Sequence, residues 1–204
     1  MISAIVLAAG ESKRMGAPNK LLLPFGEKTL IEQMVDHVLQ AEVQEVILVL
    51  GHEAERVRDV LANRPIQFVQ NADYQEGMTT SIQAGMLAIA AETNGVMICL
   101  SDLPFIQSEE LNALIAAFET VYETNTKSIV LPTFQGQQGH PVIFSVYYQS
   151  QILAHKGVHG CRGVIEQNSD QIVTLEMRTA NVLKDIDTKE DYEKFVQPPL
   201  DFEL

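Results

Sequence analysis

Tryptophan is absent, cysteine occurs twice, and only 14 Lys and Arg stand against 27 Asp and Glu, for a net charge of −13. Each scarcity excludes something. A chain this acidic repels nucleic acid and anionic membrane surfaces, because phosphate backbones are gripped mainly through Lys and Arg. Any phosphate it binds must be held locally. Cys99, in an apolar run, and Cys161, in a glycine-flanked stretch, allow at most one disulfide and show no metal-ligand spacing, so a reducing, cytoplasmic setting is expected. No run approaches the roughly 18 to 20 apolar residues of a membrane span. The opening "MISAIVLAAG" lacks a basic leader, so neither secretion nor a membrane partner is expected. Two familiar phosphate motifs are missing as well. There is no G-x-G-x-x-G, and the glycines of "GESKRMGA" are separated by five residues with no Gly-Lys-Ser/Thr.

What is present is ample apolar content: 46% of 204 residues, enough to bury a full core. One domain over 1–197 is expected, since neither a repeat nor a low-complexity linker divides the chain. In "QPPLDFEL" the paired prolines stop the preceding helix, which predicts a loosely attached tail at 198–204.

Apolar runs alternate with helical patterns. "AIVL" at 4–7 reads as a strand; in "TLIEQMVDHVLQA" the spacing of Leu30, Ile31, Met34, Val35, Val38 and Leu39 predicts a helix with one buried face, capped by Thr29. "EVILVLG" at 45–51 and "GVMICL" at 95–100 are continuously apolar, as parallel strands covered on both sides are. Helices are expected from about Glu53 to Leu61, over "MTTSIQAGMLAIAA" with Thr79, Thr80 and Ser81 available as caps, and after Ser108 as cap. "IQFVQ", "SIVLPT", "HPVIFS" and "QIVTLE" supply further strand-like stretches. The alternation predicts an α/β fold: a doubly wound, mostly parallel sheet with helices on both faces.

Ligands of such sheets gather at the carboxyl ends of the strands, which singles out the loop "LAAGESKRMGAPNK" at 7–20 and Asp102. Exposed amides around Gly10 and Gly16 would hold phosphate without side-chain bulk. Arg14 supplies a planar fork and Lys20 a mobile point charge, while Lys13 is expected to face solvent. A solvated loop with incidental cations accounts for the same pattern. Asp102, directly behind a buried strand, suits a Mg²⁺ ion that keeps water and phosphate oxygens in its shell, and equally suits a turn or cap. His140, in the turn "GQQGHP", fits a structural role as well as a substrate contact.

The signature L-A-A-G-x-S-x-R-M-G followed by Lys resembles that of the MobA-like nucleotidyltransferases. Further blocks resemble the family in order: "NADYQEGMTTSIQAG" at 71–85, "LSDLPFI" at 100–106, "GQQGHPVIF" at 136–144 and "DIDTKEDY" at 185–192. The resemblance spans nearly the whole chain and is greatest to the molybdenum cofactor cytidylyltransferase branch, including relatives in purine catabolism. It implies a Rossmann-like nucleotidyltransferase fold and catalysis by Arg14, Lys20 and Asp102. Mg²⁺ would be held by Asp102 and Asp187. The nucleotide site would take in Leu7, Ala8, Ala9, Gly10, Gly16, Lys20, Asn71, Gly77 and Ser81. Ala9, where guanylyl transferases usually carry glycine, implies CTP. Gly139 and His140 fall on the acceptor side.

The implied reaction moves a cytidylyl group from CTP to molybdenum-bound molybdopterin, for a recipient molybdenum hydroxylase. Ser101 and Leu103, where the family has Gly-Asp-Gln-Pro, and Val158, where relatives often carry aspartate, put the acceptor in question. Two alternatives stand beside it. The same site could serve a phosphorylated polyol of isoprenoid synthesis or a sugar phosphate, or the chain could be a non-catalytic cofactor carrier.

Overall fold

The computed structural model describes residues 1–16 and 19–196, so the expected tail at 198–204 lies outside the described residues. β1 (Ile2–Ala8) leads into the long loop, a small hairpin of β2 (Pro24–Phe25) and β3 (Lys28–Thr29), and α1 (Leu30–Gln40). β4 (Glu45–Leu50), α2 (Ala54–Leu61), β5 (Gln67–Gln70) and α3 (Met78–Met86) follow. Next come β6 (Gly95–Leu100), α4 (Ser108–Tyr122), β7 (Ile129–Phe134), β8 (Gln137–Gln138) and β9 (Val142–Ser145). α5 (Gln149–Ala154), α6 (Arg162–Gln167), β10 (Ile172–Glu176) and α7 (Lys189–Val196) complete the order.

The strand order is β10-β7-β9-β6-β1-β4-β5, with β8 pairing on β7. β1 lies parallel between β4 and β6; β9 runs antiparallel to both β6 and β7. The sheet is therefore mixed and mostly parallel, as its apolar runs predict. Alternate residues of β1 serve different layers: Ile2, Ala4, Val6 and Ala8 pack with Met34, Val38, Leu114 and Phe118, whereas Ile5 and Leu7 pack with Ile82, Met86 and Tyr148. Burial on both faces is why the strand reads as one continuous apolar run.

Thr29 caps α1 in a reciprocal box: its hydroxyl accepts from the Glu32 amide, while the Glu32 carboxylate accepts from the Thr29 amide at 2.9 Å. Three expectations need correction. Ser108 is not the cap of α4; Gln107 is, its amide donating to Glu110 at 2.9 Å. The helix expected over 78–91 stops at Met86, where the chain turns so that the Ala90 amide reaches the Glu45 carboxylate at 2.7 Å. Nor do Thr79, Thr80 and Ser81 cap that helix, which Gly77 precedes without a side-chain cap.

Candidate active site

β1 and its neighbour β6 end side by side, and the Ser101 hydroxyl ties them by donating to the Leu7 carbonyl at 2.6 Å. Beyond these ends opens a cavity of about 660 Å³, walled by Leu7, Ala9, Gly10, Arg14, Lys20, Gly77, Ser81, Asp102 and Asp187 among others. Its place is the one that the switch of strand order on either side of β1 dictates.

The loop delivers its cations by local hydrogen bonding. Ser12 adopts a left-handed conformation at φ 52°, and its carbonyl accepts from Met15 at 2.9 Å, closing the tight turn Lys13–Met15. Its hydroxyl accepts from the Lys20 amide at 3.2 Å, and the Asn19 side chain accepts from the Leu21 amide at 3.1 Å. With Leu21 buried as an anchor, Lys20 is turned inward. Its ammonium donates to Asp102 Oδ2 at 2.7 Å and to Asp187 Oδ1 at 2.6 Å, and its side chain is only 12% exposed. Arg14, 73% exposed, donates to Asp187 Oδ2 at 2.6 Å. Lys13 pairs with Glu11 at 2.7 Å and faces solvent.

Burial alone would push Lys20 toward neutrality, but Asp102 and Asp187 outweigh it and hold its pKa above the ordinary value. For Asp187 the same contest runs the other way: burial raises its pKa, and the contacts with Lys20 and Arg14 bring it below the usual carboxylate range. The two acids are spaced by backbone, since the Ile186 amide donates to the Asp102 carbonyl at 2.9 Å. Asp102 Oδ1 is buried without a hydrogen-bond partner among the described residues.

On the opposite wall, Asn71 donates to Ser81 Oγ and Thr80 Oγ1, both at 3.0 Å. Gly77 has φ 117°, and a Cβ there would stand 2.7 Å from the Val158 carbonyl, so no other residue fits without a shift. Not every expected residue reaches the cavity wall. The Ala8 side chain packs in the opposite core layer, Asn71 stands behind Ser81, and Gly16, at φ 83°, ends the turn outside the lining.

A second cavity of about 610 Å³ adjoins the first, sharing Met78 and Leu100 as wall. Its lining mixes the apolar Ile82, Ile98, Leu131 and Phe144 with the polar Gln138, His159, Arg162 and Glu166, and it holds both Gly139 and His140. The His140 amide donates to the Val182 carbonyl at 3.0 Å, while its ring Nδ1 is buried and unpartnered among the described residues. Burial lowers the His140 pKa against the opposing pull of Asp102, which favours the neutral ring.

Asp185, which the sequence reading passed over, also lines the first cavity. Burial, then the neighbouring Asp187 and Asp102, raise its pKa. A signal was available in the alternation Asp185-Ile186-Asp187: Ile186 is fully buried, so the acids flanking it share the other side of an extended segment.

The chain is 28% identical over 192 residues to the molybdenum cofactor cytidylyltransferase of Escherichia coli (strain K12), covering 94% of this chain and 93% of that protein. It is 27% identical over 192 residues to nicotine blue oxidoreductase of Paenarthrobacter nicotinovorans, covering 93% of each. The crystal structure of Rv0371c from Mycobacterium tuberculosis H37Rv superposes with a TM-score of 0.83 at 25% identity, over 96% of this chain and 97% of that one. The model of the MobA-like NTP transferase domain matches residues 4–172, from β1 to the start of β10. A match of that extent makes the chain a member of the MobA-like NTP transferase family and its enzyme a nucleotidyltransferase.

Proposed function

We propose that residues 1–197 form one catalytic unit that transfers a cytidylyl group from CTP to molybdenum-bound molybdopterin. The observation that carries this reading is the convergence of Lys20, Arg14, Asp102 and Asp187 in a cavity that adjoins a second one. The likeness to a molybdenum cofactor cytidylyltransferase over nearly the full length of both chains supports the acceptor. Ala9, whose methyl stands on the cavity wall against Gly51, supports the smaller base.

In this mechanism the amides around Gly10 and the side chains of Arg14 and Lys20 bind the triphosphate. Gly77 and Ser81 border the nucleoside. The unpartnered Asp102 Oδ1 is an acceptor-only oxygen without a donor, which fits a hard cation; Asp102 and Asp187 would hold Mg²⁺, which supplies charge neutralisation on the phosphates. Such an ion keeps several waters and needs few protein ligands. An oxygen of the acceptor phosphate attacks the α-phosphorus, the bond to the β-bridging oxygen breaks, and pyrophosphate leaves with that electron pair. The acceptor phosphate is already ionised near neutral pH, so the chain supplies no general base, and positioning with charge stabilisation carries the rate.

The second cavity pairs apolar surface from Ile82, Ile98, Leu131 and Phe144 with the polar side chains of Gln138, His159, Arg162 and Glu166, which suits a ring that carries polar substituents. A Cβ on Gly139 would stand 2.5 Å from the Val182 carbonyl, so this glycine lets the segment carrying His140 pack close at the cavity wall. A molybdenum hydroxylase would consume the product. We place the reaction in the cytoplasm, where CTP is made and where the free, buried Cys99 and Cys161 stay reduced. Among the described residues no helix is long and apolar enough to cross a membrane.

The test offers purified protein Mg²⁺, molybdenum-loaded molybdopterin and each of CTP, GTP, ATP and UTP, following pyrophosphate release and nucleotide incorporation. CTP is expected to be fastest; faster turnover with GTP overturns the base assignment. Asp102→Asn should lose about 10²- to 10³-fold in kcat, the scale of one preorganised electrostatic group, while still binding the acceptor.

A further inference from the structure

We infer that Lys20 is an internal counter-ion standing in the place of the divalent ion, so that metal and triphosphate bind interdependently. This rests on the nucleotidyl-transfer reading and adds to it a binding order that the site's charges impose. A single ammonium bridges Asp102 and Asp187 at 2.7 and 2.6 Å. At 12%, 19% and 29% exposure, the three side chains are largely withdrawn from water. Two carboxylates held that close in a partly dry site need a cation between them.

The charges then dictate what enters. A divalent ion arriving alone would meet Lys20 and Arg14, already seated on the acids it needs. A triphosphate arriving alone would meet Asp102, Asp185 and Asp187 on the cavity wall. Arriving together, the phosphates draw Lys20 and Arg14 onto themselves, and the vacated carboxylates take the metal. The geometry permits the exchange: the Lys20 backbone is fixed by Ser12, whereas its four-carbon stem pivots. Because coupling between two ligands is reciprocal, whatever frees the acids for metal also tightens the nucleotide.

The test measures Mn²⁺ binding with nucleotide absent, by loss of the free-ion paramagnetic resonance signal, in wild type, Lys20→Met, Lys20→Gln and Lys13→Met. Both Lys20 variants should bind Mn²⁺ at least about tenfold more tightly than wild type, within the usual 5- to 150-fold range of coupling between sites. Lys13→Met, which removes a cation from the same loop without uncovering either acid, should match wild type. Equal Mn²⁺ affinity in wild type and a folded Lys20 variant overturns the inference. Should neither variant fold, crystals of wild type soaked in Mg²⁺ alone decide: Lys20 still bridging both acids supports it, and Mg²⁺ seated there with Lys20 swung away overturns it. Calorimetric titration of CTP and GTP with Mg²⁺ is run separately. Failure of both to bind removes the nucleotidyl-transfer reading, whatever the Mn²⁺ result.

Discussion

At the scale of single residues, the loop after β1 divides its cations by what they can reach. Arg14 meets Asp187 from the solvent side, Lys20 from within, and Lys13 meets only Glu11. Arg14→Ala should therefore weaken triphosphate binding by about 1.5 to 3 kcal/mol, the scale of one charge-assisted contact. Lys13→Ala should change it by far less, and titration calorimetry on the two variants gives the comparison. Equal losses would mean that Lys13 also reaches phosphate. The sequence pattern distinguished these neighbours because only one of them falls in the family signature. It could not show Lys20 held between Asp102 and Asp187, since that pairing joins residues more than eighty positions apart. Asp185 was within reach through its alternation with Asp187 around Ile186, but its raised pKa was not, because burial and the distant Asp102 contribute to it.

At the scale of elements, the runs at β1, β4 and β6 were legible because burial on two faces leaves no polar interruption. Helix ends were less so. The fraying of "LAIAA" away from α3 answers to a carboxylate, Glu45, on a different strand. The second cavity was not legible at all beyond Gly139 and His140, because its wall is assembled from β6, β7, β9 and α6. Between β4 and α2, Gly51 is a point of close approach: a Cβ there would lie 2.7 Å from Tyr74 and 2.8 Å from the Ala9 Cβ. Gly51→Ala should cost about 1 to 3 kcal/mol in denaturant unfolding, as overpacking does. It should also raise the Kd for CTP, because the displaced Ala9 borders the cavity in which we propose that the nucleotide binds. A stable variant with unchanged CTP affinity would show that Tyr74 alone yields.

Across the whole molecule, the acidic excess makes the few internal cations matter for acid tolerance. Arg64 donates to Asp36 at 2.6 Å and to Glu32 at 3.3 Å, joining the start of α1 to the segment after α2. Burial raises the pKa of both acids, yet hydrogen bonds from Thr29 to Glu32 and from Arg64 to both leave each below its ordinary value. A carboxylate depressed in the folded state stabilises it above the unfolded pKa, and that contribution fades as pH falls through the folded one. Urea unfolding should therefore show Arg64→Met less stable than wild type by about 1 kcal/mol near neutrality, a partly solvated network being worth little more. The difference should shrink as the pH falls below the ordinary carboxylate range, where both acids take up protons. A gap that does not change with pH would assign the loss to packing instead.

One bond described above, from the Ile186 amide to the Asp102 carbonyl, bears on how the enzyme is born. Asp187 and the carbonyl of Val182 that receives His140 both come after β10, the last strand of the sheet. The Tyr192 hydroxyl then fastens α7 to Pro24 at 2.6 Å, close to the loop that carries Lys20. On a ribosome, every strand of the sheet can pair before the segment bearing Asp187 has emerged. A nascent chain that has emerged to just past β10 would be folded in outline yet lack half of its acidic pair, so capacity to bind triphosphate with metal should arrive as a late and separate step, released only with α7.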